Sequence, residues 1–566
     1  MTPRVVRVVT DVVAVDKQFD YLVPEGIDIG LGDRVRVDFH GRSVTAWVVA
    51  LDPPDEGRDL KPIKKRMGFG PHPNMFDFAQ RAATYYCTPF VRALEAASPT
   101  RNITVLPEAP RSVASVESAQ YAPGLWKVGP CHDLLDVVLS AQAQCASRPG
   151  SLLVLVPTEG WAERLAERLN RRNIPSARAH DEWAKMRAGW PVVVGARNTV
   201  FAPVPEVAGV VVLDGDDASF VSEGSPSWNA VRLAKMRSDE SGAPLWVTTT
   251  IVSPFLRELV PVLHEDDSSR DEWPRIDVID RRLGDPRDGA LSQEVIREAH
   301  RALRGNSDIA VTVILQRLGT ARLLACRQCG ELFRCATCRG PEIESDGLVA
   351  CAERHDARES FCRHCGATKP RAIRSGVTTL ARDVALQLSQ PVAEVTATSG
   401  PPAVGLRVVV GTEAVFRHVR KCDLVVFVDF DQYLLGRKER SRRDAVLAVA
   451  RAGRLVGAQG SSRGLVMIQT RRGDDDVVVA LRQHSLGDIE SAENALAQEL
   501  ALPPFSCVAE IGGVGGEAYA EALRAAGVEV WSDSSKYFVS AHTNEELRAL
   551  LARASRPAGA MRLAID

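Results

Sequence analysis

The sequence lacks the apolar segments that membrane or secreted proteins carry. No run of apolar residues approaches the ~18 that a membrane-spanning helix needs, and the N-terminus MTPRVVRVVTDVV has neither the apolar core nor the cleavage site of a signal peptide. Isolated cysteines, as at Cys87, Cys145 and Cys422, are typical of a reducing compartment. These features predict a cytoplasmic protein without a membrane partner.

The chain also lacks an excess of charge of either sign. It has 70 basic and 72 acidic residues, for a formal net charge of −2. Nucleic-acid binding must therefore depend on local patches, because no global basic field is present. With 566 residues the chain is too long for a single core, so we expect three to five domains.

A third absence is the phosphate loop of nucleotide hydrolases. Buried-type strands alternate with helical segments from about residue 123, which predicts a doubly wound parallel sheet. The run VVVLDGDD, ending at residue 217, resembles a magnesium-binding strand end. The required partner, a glycine-rich loop ending in Gly-Lys-Ser/Thr, is missing. Its nearest substitute, LWKVGPCHDLLDVVL, has only Gly129, with no following lysine and no Ser or Thr for the metal.

What the chain does have is a dense group of cysteines. Seven of its twelve cysteines fall between Cys326 and Cys365, as three C-x-x-C pairs and a half-site in which His355 follows Cys351. Two such pairs complete a closed tetrahedral zinc site, so the group predicts ligands for two zinc ions. The alternatives are a disulfide cluster or cysteines buried as small apolar residues. A catalytic zinc is disfavoured, because all-thiolate sites leave no position open for water.

The first 66 residues are rich in short β-type runs separated by turns, which predicts a small β-barrel or sandwich. Within it, Phe19, Asp20 and Tyr21 would place two rings on one face of a strand and a carboxylate on the other. The rings could stack on a base while the carboxylate accepts a bond from a sugar hydroxyl. Alternatively, both rings belong to the core. A basic run that includes Lys61 follows, either as a solvated linker or as a phosphate contact.

The chain resembles the primosomal protein N′ family of replication restart proteins over almost its whole length. The motifs that carry the resemblance are FDYLVPEG, VVVGARNTVFAPVPEVAGVVVLD, the cysteine run, RAGR (451–454) and ELALPPF. The resemblance implies a pocket for the 3′-terminal nucleotide of DNA. The positions that would line it are Phe19, Asp20, Tyr21, Gly41 and Lys61.

The resemblance also implies how the zinc ligands divide. The outer C-x-x-C pairs would share one ion, held by Cys326, Cys329, Cys362 and Cys365. The inner cysteines would share the other, held by Cys335, Cys338 and Cys351. Arg354 stands where the family has its eighth cysteine, and an arginine cannot bind zinc. We expect His355 to be the fourth ligand, with water or a weak site as the alternatives.

The departures from the family concern the ATPase motifs. WKVGPCHD stands at the phosphate-loop position, DGDD replaces DEEH, and TTTIVS, QRLG and GTEAVFRHVRKCDL replace three further motifs. Gly129 and Asp214 thus mark a degenerate nucleotide site, in which Gly215 replaces the glutamate that would activate water. Because each such group stabilises the transition state by a few kcal/mol, losing them together should abolish turnover. The sequence therefore predicts two zinc ions as cofactors and does not predict ATP.

The predicted architecture is multidomain, with a small N-terminal β domain, a winged-helix-like domain, two degenerate RecA-like α/β helicase lobes, an inserted zinc-binding module and a C-terminal α+β domain. The boundaries are 1–68 for the DNA 3′-end-binding domain, 69–112 for the winged-helix-like domain, 113–258 for lobe 1, 259–322 and 370–470 for the two parts of lobe 2, 323–369 for the zinc module and 471–566 for the C-terminal domain.

The predicted function is that of a replication restart protein without its own ATPase or helicase activity, associated with the nucleoid. It would recognise stalled or branched forks and single-stranded DNA, and help to reload the replicative helicase. Expected protein partners are a single-stranded-DNA-binding protein and the replicative helicase or its loader. The alternatives are an active ATP-dependent 3′–5′ DNA helicase with atypical motifs, and a zinc-dependent RNA- or protein-binding factor unrelated to replication.

Overall fold

The computed structural model describes residues 4–566 apart from residues 14, 16, 55–59, 111–119, 266–270, 283, 285–288, 317–323, 338–341, 346–347, 352–356, 369, 373–375, 437–439, 458–463, 534–535 and 558–560. Two large parallel sheets dominate this part of the chain, and smaller antiparallel sheets precede, interrupt and follow them. None of the helices described has both the length and the apolar character that crossing a bilayer requires.

The N-terminal segment forms a small antiparallel barrel. Its strands are β1 (Val5–Thr10), β2 (Gln18–Leu22), β3 (Arg34–Phe39), β4 (Arg42–Leu51) and β5 (Lys65–Gly68), in the order β2-β1-β4-β3-β5. The segment before β5 closes the sheet: the Leu22 amide donates to the Lys61 carbonyl at 3.0 Å, and the Lys64 amide donates to the Arg36 carbonyl at 2.7 Å. Alternation along RVRVDF buries Val35 and Val37 inside the barrel, as a period of two requires.

Two helices follow the barrel, α1 (Phe76–Tyr85) and α2 (Phe90–Ala96). Their apolar residues belong to one hydrophobic core together with residues of the first large sheet and of the C-terminal sheet. Arg237 joins α1 to the first lobe, because its guanidinium lies over the Phe78 ring and donates to the carbonyls of Val200 and Ala202. The helical segment is therefore packed as part of the first lobe.

The first lobe is a seven-stranded parallel sheet flanked by helices. Its elements are β6 (Gly124–Lys127), α3 (Leu135–Cys145), β7 (Ser151–Leu155), α4 (Glu159–Arg171), β8 (Ser176–Arg178), α5 (Trp183–Ala188), β9 (Val192–Gly195), β10 (Val207–Val212), α6 (Ala230–Ser241), β11 (Leu245–Thr249), α7 (Pro254–Leu259) and β12 (Leu263–Glu265). The strand order is β12-β6-β11-β10-β7-β9-β8. Strands such as β7 are buried along their whole length, which explains their continuous apolar sequence. β12 lies beyond residue 258 and forms an edge of this sheet.

The second lobe and the cysteine-rich module occupy residues 275–470. Their elements are β13 (Arg275–Asp280), α8 (Gln293–Leu303), β14 (Val311–Ile314), β15 (Leu324–Cys326), β16 (Glu342–Ser345), β17 (Leu348–Cys351), β18 (Ala357–Glu359), β19 (Pro370–Ala372), α9 (Val377–Leu388), β20 (Val392–Val395), β21 (Val408–Gly411), α10 (Val415–His418), β22 (Leu424–Phe427), α11 (Asp431–Leu434), α12 (Ser441–Val456) and β23 (Leu465–Thr470). The parallel sheet has the order β13-β23-β22-β14-β21-β20, and β15 to β19 form two small antiparallel sheets inserted between β14 and α9. The predicted insertion is thus visible in the topology.

The C-terminal region contains α13 (Asp476–Gln483), α14 (Gly487–Glu499), β24 (Cys507–Gly513), α15 (Gly516–Ala525), β25 (Trp531–Asp533), β26 (Lys536–Ala541), α16 (Asn544–Leu551) and β27 (Met561–Ile565). α13 and the start of α14 pack into the core of the second lobe. The antiparallel sheet β25-β26-β24-β27 instead packs against the first lobe and α1, where Asn544 donates to the Tyr85 carbonyl at 3.2 Å. The C-terminal region therefore contacts both lobes.

Candidate functional site

Strand β2 carries the predicted pair of aromatic rings on its inner face. Tyr21 is buried in the barrel core, and Phe19 packs against that core and against the Phe39 ring at a centroid distance of 5.0 Å. Burial and the nearby charge of Asp38 raise the pKa of Tyr21, whose hydroxyl donates to the Asp38 carbonyl at 2.9 Å. Both rings therefore belong to or pack against the barrel core, as the alternative to base stacking expects.

Asp20 lies on the opposite face of β2 and already has a partner. Arg7 stands directly across from it on β1, and donates from Nε to Oδ1 at 2.7 Å and from Nη2 to Oδ2 at 2.9 Å. Such a bidentate pair is strong and directional. A ligand that approaches Asp20 thus meets a carboxylate whose two oxygens each already accept a hydrogen bond.

Gly41 and Lys61 meet at Asp38, a residue that the sequence analysis did not single out. His40 and Gly41 form the two-residue turn between β3 and β4, and Gly41 adopts φ +80°, which glycine tolerates best. The Gly41 amide donates to Asp38 Oδ1 at 3.2 Å, and Lys61 Nζ lies 3.1 Å from the same oxygen. Tyr21, Gly41 and Lys61, predicted from three separate segments, are thus brought together around one residue: Tyr21 at the Asp38 carbonyl, and Gly41 and Lys61 at its carboxylate.

The outer C-x-x-C pairs form a compact cluster. The sulfurs of Cys326, Cys329, Cys362 and Cys365 all lie within 4.8 Å of one another. The Cys326 and Cys365 sulfurs are 3.5 Å apart, and those of Cys329 and Cys362 are 3.6 Å apart. Each pair is followed by a glycine with φ near +75°, Gly330 at 76° and Gly366 at 74°. These glycines complete two matching turns, in which the glycine amide donates to the carbonyl of the first cysteine.

This cluster fits a tetrahedral zinc ion. A zinc–sulfur distance of ~2.3 Å places tetrahedral sulfurs ~3.8 Å apart, close to the separations found here. Pairing of β15 with β19 joins the two ends of the module, and every cysteine described is free of disulfide bonds. One four-cysteine group that could hold a metal is therefore present, as predicted for the first ion.

The second predicted zinc site falls only partly within the described residues. Cys335 and Cys351 are buried in the module, whereas Cys338 and His355 lie outside the part of the chain that the structure describes. No second group of metal-ligating side chains is found among the described residues. The second ion and the role of His355 therefore stay predictions.

A protein carboxylate contacts the loop after β6, where the resemblance expects a phosphate loop. Glu272 accepts from the Gly129 amide through Oε2 at 3.0 Å, and its Oε1 lies 2.5 Å from His132 Nδ1. Burial alone would lower the pKa of His132, but the bond and charge of Glu272 outweigh it, so the pKa is raised. The amide and imidazole at the start of this loop are thus satisfied within the protein.

Asp214, at the end of β10, is paired with the second lobe. Arg454 of α12 donates from Nη2 to Asp214 Oδ1 at 2.6 Å, contacts Oδ2 through Nη1, and donates from Nε to the Pro130 carbonyl at 3.1 Å. Burial raises the pKa of Asp214, and the arginine only partly offsets this effect. One guanidinium therefore bridges the loop after β6 and the carboxyl end of β10.

Two further acidic residues of the DGDD run also face arginines of α12. Arg451 lies 3.0 Å from Asp217 and donates to Glu413 at 2.7 Å. Burial would raise the pKa of Asp217, but the charge of Arg451 and the bonds from Ser219 hold it below its usual value. Asp216 accepts from the Ser253 amide at 3.2 Å, with Arg443 4.0 Å away. We call the pairs Arg454–Asp214 and Arg451–Asp217 the inter-lobe ion pairs.

Gly215 stands where the resemblance expects a catalytic glutamate, and it has no room for a side chain. A Cβ atom there would lie 2.7 Å from Val247 Cγ1 and 3.3 Å from Leu256 Cδ1. Its amide donates to the Thr248 carbonyl at 2.8 Å, which fixes the backbone against β11. The glycine is therefore part of the lobe-1 packing.

An open cleft of about 1290 Å³ remains beside the inter-lobe ion pairs. Residues of both lobes line it, and arginines are frequent among them: Arg164, Arg168, Arg197, Arg417, Arg420, Arg451 and Arg454. Burial, and then the like charge of Arg420, lower the pKa of Arg164, so positive charge from both lobes faces this space. Acidic residues also line the cleft, namely Asp133, Glu159, Asp217, Glu223 and Glu413, so its charge is mixed, with an excess of arginines.

Known proteins match both the N-terminal segment and most of the chain. Residues 7–99 match the family described as the 3′ DNA-binding domain (3′BD) of PriA. The chain is 26% identical over 577 residues to the "Probable replication restart protein PriA" of Mycobacterium tuberculosis, covering 88% of this chain and 85% of that protein. The corresponding protein of Mycobacterium leprae is 25% identical over 571 residues, covering 88% and 86%.

The solved structures that the chain matches are more distant in sequence. Saccharomyces cerevisiae Dbp5 bound to RNA and ADP BeF3 gives a TM-score of 0.37 at 10% identity, covering 72% of this chain and 92% of that one. A DEAD box protein from Methanococcus jannaschii gives a TM-score of 0.26 at 10% identity, covering 64% and 86%.

The fold and the site define a class: a protein with two parallel α/β lobes, an inserted four-cysteine cluster and an N-terminal segment that matches a 3′ DNA-binding domain. The chain is similar to the PriA replication restart proteins over 88% of its length, at 26% identity. The predicted resemblance to the primosomal protein N′ family is thereby confirmed.

The four-cysteine cluster generates a first prediction. Replacing Cys326 by Ser should remove about one zinc ion per chain, because three thiolates no longer complete a tetrahedral site. Metal analysis of the purified protein measures this loss. Cys507→Ser, at the start of β24 and outside the module, should keep the wild-type zinc content. Equal zinc in Cys326→Ser and the wild type would contradict the assignment.

The inter-lobe ion pairs generate a second prediction. Arg454→Met leaves Asp214 buried without a counter-charge, which should cost about 3–5 kcal/mol of stability at neutral pH. The pKa of Asp214 is already raised, and losing the arginine raises it further. A raised acid pKa stabilises the folded state at low pH, and this contribution is lost as pH rises through the folded pKa. The difference in unfolding free energy between the wild type and Arg454→Met should therefore shrink as pH falls toward ~4. Urea unfolding at each pH measures this difference.

A matched control lies on the same helix. Arg442 pairs with Asp476, and their side chains are 44% and 83% exposed. Exposed pairs of this kind contribute about 0–1 kcal/mol, so Arg442→Met should have little effect at any pH. The double variant Arg454→Met/Asp214→Asn should recover most of the lost stability. A deficit of Arg454→Met that stays constant between pH 8 and pH 5 would contradict this account.

Proposed function

We propose that this protein is a replication restart factor that recognises stalled or branched forks and helps to reload the replicative helicase without a motor of its own. The observation that carries the proposal is that protein groups occupy the nucleotide position. Glu272 takes the loop amide that a phosphate would use, and Arg454 takes the aspartate that would hold magnesium. Neither group is available to ATP while these contacts last.

The residues at the positions of the ATPase motifs support the same proposal. Productive phosphoryl transfer needs a charge-neutralising lysine, a metal ligand and a group that activates water. At these positions the chain has His132 and Asp133 after Pro130-Cys131, and Gly215 after Asp214. Each missing group is worth a few kcal/mol in the transition state, so their combined loss removes hydrolysis.

DNA recognition is proposed for the N-terminal barrel. Phe19, Asp20, Tyr21, Gly41 and Lys61 would form the pocket for a 3′ end, supported by the match of residues 7–99 to a 3′ DNA-binding domain. The cleft between the lobes, with arginines on both walls, would hold the DNA strand or branch next to that end. The protein partners we propose are a single-stranded-DNA-binding protein and the replicative helicase or its loader.

The cysteine-rich module is proposed to hold two zinc ions and to contact those partners. Cys326, Cys329, Cys362 and Cys365 would hold the first ion, supported by their mutual proximity. Cys335, Cys338, Cys351 and His355 would hold the second. Closed sites of this kind are structural, so the ions would stabilise the module and take no part in catalysis.

A third prediction concerns ATP. The purified chain should release no phosphate from ATP above background, with or without single-stranded or fork DNA, because the phosphate loop, its lysine and the base are missing. A malachite-green assay measures this, with an active DNA-dependent helicase run in parallel as the control. DNA-stimulated turnover would overturn the non-motor proposal and favour the alternative, an active 3′–5′ helicase, which the retained Arg451 and Arg454 would serve.

A fourth prediction concerns the DNA end. A fork with a free 3′-hydroxyl end should bind more tightly than the same fork with a 3′-phosphate, and Asp20→Ala should weaken binding to the free end about tenfold, the value of a hydrogen bond to a charged group. Fluorescence anisotropy measures both. Equal affinity for the two ends, unchanged by Asp20→Ala, would remove the end-recognition claim.

A further inference from the structure

Three arginines that line the cleft between the lobes have no acidic partner in the part of the chain that the structure describes. Arg164 belongs to α4 of the first lobe, Arg417 belongs to α10 of the second, and Arg420 follows that helix. All three residues are exposed, and none of their side chains forms an ion pair or a hydrogen bond with another described residue. A single exposed arginine needs no partner, because water solvates it. These three differ because they face one space from two lobes.

Arg164 and Arg420 repel each other across the cleft. Burial, and next the like charge of Arg420, lower the pKa of the Arg164 guanidinium. Glu163 and Glu167 of the same helix act on Arg164 more weakly than Arg420 does, and each of them forms an ion pair with a different arginine, at 3.7 and 3.3 Å. Like charges that face each other across an interface destabilise it. An anion between these two arginines would therefore stabilise the arrangement of the lobes.

Most of the acidic residues that line the cleft are already bound to other arginines. Asp133 accepts from Arg168 Nη1 at 2.9 Å. Asp217 and Glu413 both face Arg451, at 3.0 and 2.7 Å. Two exposed glutamates of the lining remain, against the three arginines without partners. The acidic residues of the cleft therefore leave part of its positive charge uncompensated.

The contacts in this cleft favour recognition of an anion by arginines and not through a magnesium ion. Asp214, the carboxylate at the end of β10, is held by Arg454, and the Gly129 amide donates to Glu272. Arginine suits phosphate, because its planar guanidinium can donate two parallel hydrogen bonds to two oxygens. The cleft has a volume of about 1290 Å³, above the range of about 300–1,000 Å³ that is usual for small-molecule pockets. It therefore has room for several linked phosphates.

We infer that the cleft binds a chain of phosphate groups without magnesium, held by Arg164 from the first lobe and by Arg417 and Arg420 from the second. The bound anion relieves the repulsion between the lobes and connects them at a second place, beside the inter-lobe ion pairs. The inference goes beyond the proposed function, because such binding requires neither a DNA end nor a fork. Two sources supply this chemistry, a free oligophosphate and the backbone of a DNA strand, and competition between the two separates them.

Sodium tripolyphosphate is the probe, titrated into the full-length protein in magnesium-free buffer and followed by isothermal calorimetry. It should bind without magnesium, and more weakly as salt is added, because salt screens exposed charges. Arg164→Gln and Arg420→Gln should each weaken binding about tenfold, the scale of one hydrogen bond to a charged group. The thermal unfolding temperature of the wild type should rise with tripolyphosphate concentration, since a ligand that binds only the folded state stabilises it.

Arg171→Gln is the matched control. Arg171 lies on α4 as Arg164 does, but it is 73% exposed, pairs with Glu167 and lies outside the cleft. The variant removes one positive charge from the same helix and should keep the wild-type affinity. Arg420→Lys keeps the charge but loses the planar guanidinium, so its affinity should lie between those of Arg420→Gln and the wild type. Unchanged thermal unfolding without ligand shows that each variant is folded.

A fluorescent oligothymidylate, followed by anisotropy, identifies the source of the phosphates. If tripolyphosphate displaces the oligonucleotide and the two glutamine variants of the cleft weaken both ligands, the arginines bind the backbone of a DNA strand. The same conclusion holds if only the oligonucleotide binds and both variants weaken it. If tripolyphosphate binds, depends on both arginines and leaves the oligonucleotide in place, the ligand is a free oligophosphate. Each of these results supports the inference.

Four results would overturn it. They are binding of neither ligand, binding only when magnesium is added, affinities that neither Arg164→Gln nor Arg420→Gln changes, and an equal loss in Arg171→Gln. The last would mean that the probe responds to the general charge of the helix. The proposed function is judged by the ATPase and fork measurements, so each of the two can fail without the other.

Discussion

The contact between Arg454 and Asp214 joins the two large lobes of this molecule. The guanidinium reaches from α12 of the second lobe to the end of β10 in the first, and also donates to the Pro130 carbonyl of the loop after β6. Arg451 adds a parallel contact with Asp217. Both contacts are made by side chains of the protein itself, so they join the lobes without a ligand.

The cysteine cluster is inserted in the second lobe, which the inter-lobe ion pairs connect to the first. Its strands β15 and β19 leave and re-enter that lobe between β14 and α9, so the orientation of the module follows the orientation of the sheet. The C-terminal sheet packs against the first lobe and α1, close to the barrel side of the molecule. A fixed angle between the lobes therefore fixes the spacing between the N-terminal barrel and the four-cysteine module.

Sequence patterns over a few residues correctly predicted the features that depend on neighbouring residues alone. The faces of Phe19 and Tyr21 follow from the alternation of a strand, and the outer cysteine cluster follows from paired C-x-x-C turns. Asp38 and Glu272 were missed because their partners are distant in sequence: Asp38 meets Tyr21 and Lys61, and Glu272 meets a loop 140 residues away. The single Asp-x-x-Gly sequence at the tight turn, from Asp38 to Gly41, was a local signal that could have pointed to Asp38.

The packing around Gly215 disfavours the glutamate that the resemblance expects at this position. A glutamate here would place its Cβ 2.7 Å from Val247 Cγ1 and close to Leu256. It would need smaller or shifted neighbours on β11 and α7 before it could fit. Evolution could therefore introduce that glutamate only together with changes in the core of the first lobe.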